Sequence, residues 1–371
     1  MKKIILLILG IIITTTFSGC KKNTLNGTAV IKKFDIEEAS KTVDAYMKAD
    51  IKNDVSGMDK LYSSSFVKKI ENKVISNVII TGYKFDQIMQ TGQLGQIKVK
   101  VTKLNPTAVY ASLETYTFKV IKESNQYKIK DIETKNEKET FVSGSGIRLR
   151  SKDDAKTLLV TNFDGMPKYY YEQKDKAKTN MLPVDLSAFG VTALTYEGTS
   201  QALSTKGNNA YIEVVHYDES MMTQGGTGMQ GGGTEGSGGS GGAGGSQGET
   251  NIAPEKPLAK EIVPIDIISG GIINNMVFSE DEKYLAVQYV KSSGDTSIRM
   301  YKNKTGEQIP FEFEKNYPMD KVNVLINIFD KNGLVYTVTP KATNSNDPAI
   351  KDIVGKWQID TKKFKPSRVN G

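Results

Sequence analysis

"GIINNMVFSEDEKYLAVQYVKSSGDTSIRMYKNKTGE", residues 271–307, decides how the second half of the chain is read. Apolar and β-branched residues fall in three short runs, separated by the acidic turn Ser279-Glu280-Asp281-Glu282 and by the Gly294 turn. Such runs between turn residues read as strands, and successive tight turns make them an antiparallel meander. "GVTALTYEGTSQALSTKGNNAYIEVVHYDE", residues 190–219, repeats the pattern. Leu194 and Tyr196 match Met276 and Phe278, Leu203 matches Leu285, and Ile212 matches Ile298 after a longer turn. Weaker copies begin at Ile147 ("IRLRSKDDAKTLLVTNFDGMPKYYYEQ") and at Val324 ("VLINIFDKNGLVYTVTP", closed by "GKWQIDTKK"). One such unit cannot bury its own faces, so the units must stack. The plainer alternative is unrelated hairpins that share turn chemistry.

"FSEDEKYLAV" followed by "IRMYKNKTGE" resembles a blade of the TolB-type, WD40-like β-propellers. Glu280 stands where that family usually has proline, and Glu282 where it usually has glycine. The resemblance implies loops presented to proteins or peptides. Four units are fewer than the usual six or seven, which leaves a small or open propeller, or a distorted β-sandwich. Between the second and third units lie fourteen of the 34 glycines, from Gly225 to Gly248. That composition predicts a flexible segment. It is an insertion (220–252) in one β-domain if the units are real, and an interdomain linker if they are not.

The first half reads differently. Asp35-Ile36-Glu37-Glu38 opens a helix with acids in its first turn, and Val43, Tyr46, Met47 and Ile51 form an apolar stripe. Gly57 breaks it, and Ser64 or Ser65 is placed to cap a short helix. "KVISNVIITGYKF", "GQIKVKVTKL", "TAVYASLETYTFKVI" and "NQYKIKDIETK" then read as four strands. A long helix, short helical pieces and four strands resemble the NTF2-like, cone-shaped fold. That family implies a pocket on the concave face, used by enzymes and by plain binding modules. No histidine lies in this stretch, so the reading favours a scaffold or binding module.

At the N-terminus Lys2 and Lys3 precede the aliphatic run Ile4–Ile13, as in a secretory signal. About ten apolar residues are too few for a helical span, which needs ~20. Phe17-Ser18-Gly19-Cys20 resembles the lipobox of bacterial lipoproteins, in which the cysteine thiol receives diacylglycerol and becomes the first mature residue. Two acyl chains hold where one is marginal, at ~0.8 kcal/mol per buried CH₂. An ordinary cleaved signal with a coincidental cysteine is the alternative.

Composition narrows the chemistry. Cys20 is the only cysteine and His216 the only histidine of 371 residues, which excludes disulfide frameworks, CxxC pairs and multi-histidine metal cages. The net charge of +7 becomes 7 − 2 = +5 without Lys2 and Lys3. That suits work beside anionic lipid or wall polymer, and no basic stripe with aromatics points to nucleic acid. Several motifs have plainer explanations. Gly226-x-Gly228-x-x-Gly231 lies in a glycine tract, not between a strand and a helix. Ser65-x-x-Lys68 and Lys304-Thr305-Gly306 mimic transpeptidase motifs, but no SxN motif lies between them. His216, with Glu213 and Asp218 near, shows no nucleophile or metal partner. Asn162-Phe163-Asp164-Gly165 reads as a turn rather than a calcium loop, and Tyr169–Tyr171 and Trp357 as core aromatics rather than stacking groups.

The expectation is an α+β protein: signal and lipobox (1–20), tether (21–35), NTF2-like domain (36–142) and a β-rich domain of blade-like antiparallel units (144–371). It is a non-enzymatic, lipid-anchored surface protein on the extracellular face of the bacterial cytoplasmic membrane. It meets the membrane through diacylglycerol on Cys20, binds a protein or cell-wall partner, and needs no cofactor, metal or nucleic acid. An envelope hydrolase or isomerase using the NTF2-like pocket is the alternative, and a transporter's solute-binding component a third.

Overall fold

Long β-branched runs with bulges make the first element a curled sheet. In the computed structural model β1 (Ile79–Thr91), β2 (Leu94–Leu104), β3 (Tyr110–Glu123), β4 (Gln126–Ser143), β5 (Gly146–Ser151) and β6 (Leu158–Asn162) form one antiparallel six-stranded meander. Register shifts at Ile80/Gly82, Phe85/Gln87, Leu113/Glu114, Lys119/Val120 and Ile147/Arg148 bend it, as bulges do. The described residues are 33–67, 77–152, 154–223 and 255–369. The chain divides into Met1–Phe34 and Asp35–Gly371, and the sheets belong to the second unit.

Helix α1 (Ile36–Ile51) lies on one face of this sheet. Asp35 caps it, accepting from the Glu37 and Glu38 amides at 2.9 and 3.3 Å. Tyr46 stacks edge-on against Phe118 of β3, and Asp44 accepts the Tyr83 hydroxyl of β1 at 2.6 Å. The helix ends with Asn53 in the left-handed conformation, earlier than the expected break at Gly57, which sits inside the short α2 (Val55–Asp59). A further turn, α3 (Ser64–Val67), packs beside β4.

The expected NTF2-like α+β cone over 36–142 is corrected: the described residues are mostly β, at 53% strand and 14% helix. The sheet runs through residues 142–146 as the β4–β5 hairpin, so it does not end where a cone domain would. Its second face is covered by strands rather than helices. Leu104, Ala111 and Leu113 are buried together with Ile147, Leu149 and Val160, and with Val191, Leu194 and Leu203 from the next sheet. Along β3 the even positions Tyr116, Phe118 and Val120 and the odd positions Ala111 and Leu113 are all buried, so the strand has two cores to serve.

Three larger antiparallel sheets and one two-stranded sheet follow among the described residues. β9 (Ala188–Leu194), β10 (Ser200–Lys206), β11 (Asn209–Tyr217) and β12 (Ala259–Ser269) form one in the order β12-β11-β10-β9. β13 (Gly271–Phe278), β14 (Tyr284–Lys291) and β15 (Thr296–Lys302) form the next. β16 (Val322–Asp330), β17 (Gly333–Pro340), β18 (Gly355–Ile359) and β19 (Pro366–Arg368) form the last. The two stretches 190–219 and 271–307 thus each fold as a three-stranded meander. The expected unit at Ile147 does not: β5 and β6 join the first sheet, while β7 (Tyr169–Tyr171) pairs with β8 (Met181–Pro183). β11 and β12, on either side of the glycine-rich segment, are hydrogen-bonded neighbours from Asn209↔Ser269 to Tyr217↔Ala259. Residues 224–254 of that segment lie outside the described residues, as does Gly226-x-Gly228-x-x-Gly231.

The middle sheet buries both faces. Phe278, Leu285, Val287 and Tyr289 pack with β9–β12, whereas Val277, Ala286, Ile298 and Met300 pack with Val322, Phe329, Leu334 and Tyr336 of the last sheet. All eight residues matched between the two repeats are buried. Hydrogen bonding nevertheless sets the repeats two residues apart from that alignment. The Thr195 amide donates to the Ser200 carbonyl and the Thr195 hydroxyl accepts from the Ser200 amide; Ser279 does the same with Tyr284. Thr195 therefore corresponds to Ser279, and Gly198 to Glu282, both left-handed, at φ +63° and +58°. A shift of two keeps every side chain on its face, which is why apolar matching alone did not register it.

The β9–β10 turn docks the two halves. Tyr196, fully buried, meets β1 at the Gly82 bulge, where a methyl group would overlap its hydroxyl and lie 3.4 Å from its Cζ. Beside it Glu197 takes Lys84 of β1 at 2.9 Å and Lys100 of β2 at 2.5 Å. The Gly198 carbonyl accepts from Lys138 of β4 at 2.7 Å, and Glu282 accepts from the Glu197 amide at 2.7 Å. Gly82→Ala is expected to cost about 1–3 kcal/mol by overpacking. In a Tyr196→Phe background the cost should fall to less than half, because the overlapping atom is gone. Urea midpoints of the four proteins check this, and equal costs in both backgrounds would rule out the clash.

Candidate functional site

The groups singled out in the sequence do not converge. Cys20 and Lys68 lie outside the described residues. Ser65 sits on α3, its hydroxyl 3.1 Å from that of Ser63, while Lys304-Thr305-Gly306 forms the turn after β15 with Gly306 at φ +72°. Asn162-Phe163-Asp164-Gly165 is a single 3-10 turn closed by the Asn162 side chain on the Gly165 amide at 3.0 Å. Tyr170 is buried with its hydroxyl on the Ile265 carbonyl at 2.9 Å, whereas Tyr169 is half exposed. Trp357 packs against the last core, donates to the Ile353 carbonyl at 2.8 Å and carries Arg368 over its ring.

His216 has a partner that sequence reading missed: its Nδ1 is 2.7 Å from the Ser200 hydroxyl, directly across β10–β11. A cross-strand pair sixteen residues apart is invisible before the register is known. Burial pulls the histidine below its ordinary range. Ser200 is itself buried, and neither residue lines the clefts described below, so the pair serves as a strand-to-strand tie.

Glu213, on the same strand, is fully buried, and neither of its oxygens makes a hydrogen bond of good geometry. Its neighbour on β12 is Pro264, which has no amide hydrogen to offer. Burial pushes the acid up to about 7, against a smaller downward pull from Tyr211.

Two clefts are rich in charge, and their central groups are paired. One, about 490 Å³, surrounds Arg299, which binds Asp266 of β12 at 2.8 Å and Glu314 of α4 (Phe313–Asn316) at 2.9 Å. Tyr301 donates to Asp266 at 2.5 Å and Tyr289 donates to Glu314. These bonds tie β12, β14, β15 and α4 together, while Lys174 and Lys176 stand unpaired among the described residues at the rim. The other, about 660 Å³, lies over β4 and β5, where Glu139 takes Arg150, Asn136 and Tyr110.

A third cleft, about 610 Å³, differs. The end of α1 supplies Lys48 and Lys52, β1 supplies Ile79 and Ile80, and Asn275 comes from β13. β16 contributes Ile326 to Ile328, the turn after it Asp330 and Asn332, and β18 Lys356 and Gln358. Lys48 is paired with Asp44 at 2.7 Å. Lys52 and Lys356 make no side-chain hydrogen bond or ion pair among the described residues. Asp330, the only lining carboxylate among the described residues, accepts at one oxygen from the Asn332 amide at 2.8 Å and from Gln358 at 2.9 Å. Asn275 Oδ1 is buried without a partner. Burial first, then the charges of Lys52 and Lys48, pull the Lys356 ammonium below its ordinary range. Aliphatic walls, open amides and two unpaired ammonium groups suit an anionic organic ligand. No three or more metal-ligating side chains cluster among the described residues, and no helix there is long and apolar enough to cross a membrane.

No family model and no curated protein matches the chain. Among solved structures it is similar to a candidate 6-phosphogluconolactonase from Bacteroides fragilis, at 9% identity over 60% of this chain and 67% of that one, with a TM-score of 0.24. A second from Bacteroides uniformis gives 8% identity over 78% and 94%, with a TM-score of 0.25. A puromycin-hydrolyzing peptidase from Mycobacterium tuberculosis gives 7% over 78% and 52%, with a TM-score of 0.19. Scores this low carry no argument about activity.

Two carboxylates give opposite pH dependences. Glu213, raised from 4.5 to about 7, contributes stability at low pH that is lost as pH rises through that window. Glu197, lowered to about 2 by Lys100 and Lys84, contributes stability above 4.5 that is lost on acidification toward 2. Glu213→Gln should therefore gain on the wild type in urea midpoint between pH 5 and pH 8. A difference that stays constant with pH would show that Glu213 does not titrate there.

Proposed function

We propose that this chain is a lipid-anchored surface protein of the bacterial envelope that binds a ligand or partner in the cleft between α1, β1, β16 and β18 and does no chemistry on it. The observation that carries the reading is the pair of unpaired lysines, Lys52 and Lys356, in a cleft otherwise walled by isoleucines and amides. These are groups that hold and orient; the one carboxylate among the described lining residues accepts from Asn332 and Gln358 at one oxygen. The propeller-like repeat pattern adds the expectation of exposed loops used for binding.

Soaking a set of small organic fragments into crystals of the full chain tests the cleft. Occupancy should concentrate against Ile326, Ile328 and Lys356, and clustering at the Arg299 or Glu139 clefts instead would overturn the assignment. The anchor is tested separately by Cys20→Ala, which should move the protein from the membrane fraction to the soluble fraction. A variant that still sediments with membranes is not held by diacylglycerol.

A further inference from the structure

The same cleft points to a class of ligand, an inference that rests on the binding reading above. We propose that Lys52 and Lys356 hold a phosphate monoester, with its organic part against Ile79, Ile326 and Ile328. Charge is the first argument. Three lysines face one lining carboxylate; Lys48 is already neutralised by Asp44, and Asp330 is engaged by two donors. Two ammonium groups from separate elements, the end of α1 and β18, make no ion pair, so even with the charge of Asp330 the described lining keeps a net positive charge, and a phosphate monoester carries ≈ −1.5 to −2 at neutral pH.

The kind of cation is the second argument. The cleft contains lysines and no arginine. Arginine's planar fork matches a carboxylate in bidentate fashion, whereas lysine binds phosphate as a point charge with three donors. Unused hydrogen-bonding capacity is the third. The Asn275 carbonyl oxygen is buried with no donor, which suits a hydroxyl on the ligand, and the Asn327 amide, whose oxygen is taken by Thr337, has its N–H groups left to donate. Burial accounts for most of the lowering of the Lys356 ammonium, and the neighbouring charges of Lys52 and Lys48 add to it. Free phosphate esters and phosphate-bearing lipid headgroups share this chemistry, so the site alone does not separate them.

The sole tryptophan, Trp357, adjoins Lys356 on β18 and provides a fluorescence signal for titration of the full chain in neutral detergent. Glycerol 3-phosphate is the soluble probe, and vesicles of phosphatidic acid in phosphatidylcholine, against phosphatidylcholine alone, are the headgroup probe. At least one should saturate, and the arm that does identifies the source. Lys52→Gln and Lys356→Gln should each weaken it about 10-fold, the usual scale for a charged hydrogen bond, while Lys304→Gln leaves it unchanged. Both lysines are accessible to solvent, and near-UV circular dichroism confirms folding of the variants. Saturation by neither probe, affinity unaltered in both variants, or acetate binding as tightly as phosphate each overturns the proposal. Fragments that fill the cleft while phosphate does not would sink the phosphate assignment and leave the binding reading standing; an empty cleft in both experiments removes both.

Discussion

The docking of Tyr196 at the Gly82 bulge is the constraint on which the architecture turns. A side chain of that size enters the flank of a sheet only where the facing residue has no Cβ, and only where a bulge has already opened the ladder. The neighbouring residues lock it: Glu197 is held by two lysines on β1 and β2, and Gly198 by a third on β4. Glu282, in the equivalent turn of the next sheet, reaches back to the Glu197 amide. One turn thus fixes the first sheet, the second and the third relative to each other. Glu282 adopts a left-handed backbone that disfavours glutamate, and the bond to Glu197 is what that carboxylate gains there.

Much of the second half was legible because period and turn chemistry are local. The runs from Gly190 and Gly271 each carried three strands, and Leu203, Leu285, Ile212 and Ile298 are buried as their positions suggested. The helix over 36–51 and four strands after it were legible for the same reason. The class drawn from them was wrong because burial on the opposite face of β2 and β3 depends on β9, some eighty residues later. The Ile147 unit failed similarly: its turns resemble those of the other units, but β5 pairs with β4, a partner outside the repeat.

The candidate site was scarcely legible at all. Lys52 ends a helix, Lys356 interrupts an apolar strand, and Asn275 sits at a bulge; each is unremarkable where it stands in the sequence. Only the packing of α1 and β1 near β13 and β16 brings them together. Of the tempting motifs, Ser65 lies on α3 and Lys304-Thr305-Gly306 in the turn after β15.

The two-faced burial of the middle sheet bears on how the chain reaches this state. β13–β15 has no face it can bury alone, and the first sheet has one face unburied until β9–β12 arrive. Leu258, at the entry to β12, donates to Leu159 of β6, so the first sheet gains its last backbone bond from a residue about a hundred positions on. Segments cut at the sheet boundaries would therefore expose apolar faces rather than stand as small domains. The cores are thus built from contacts far apart in sequence, the kind whose loop-closure entropy slows folding.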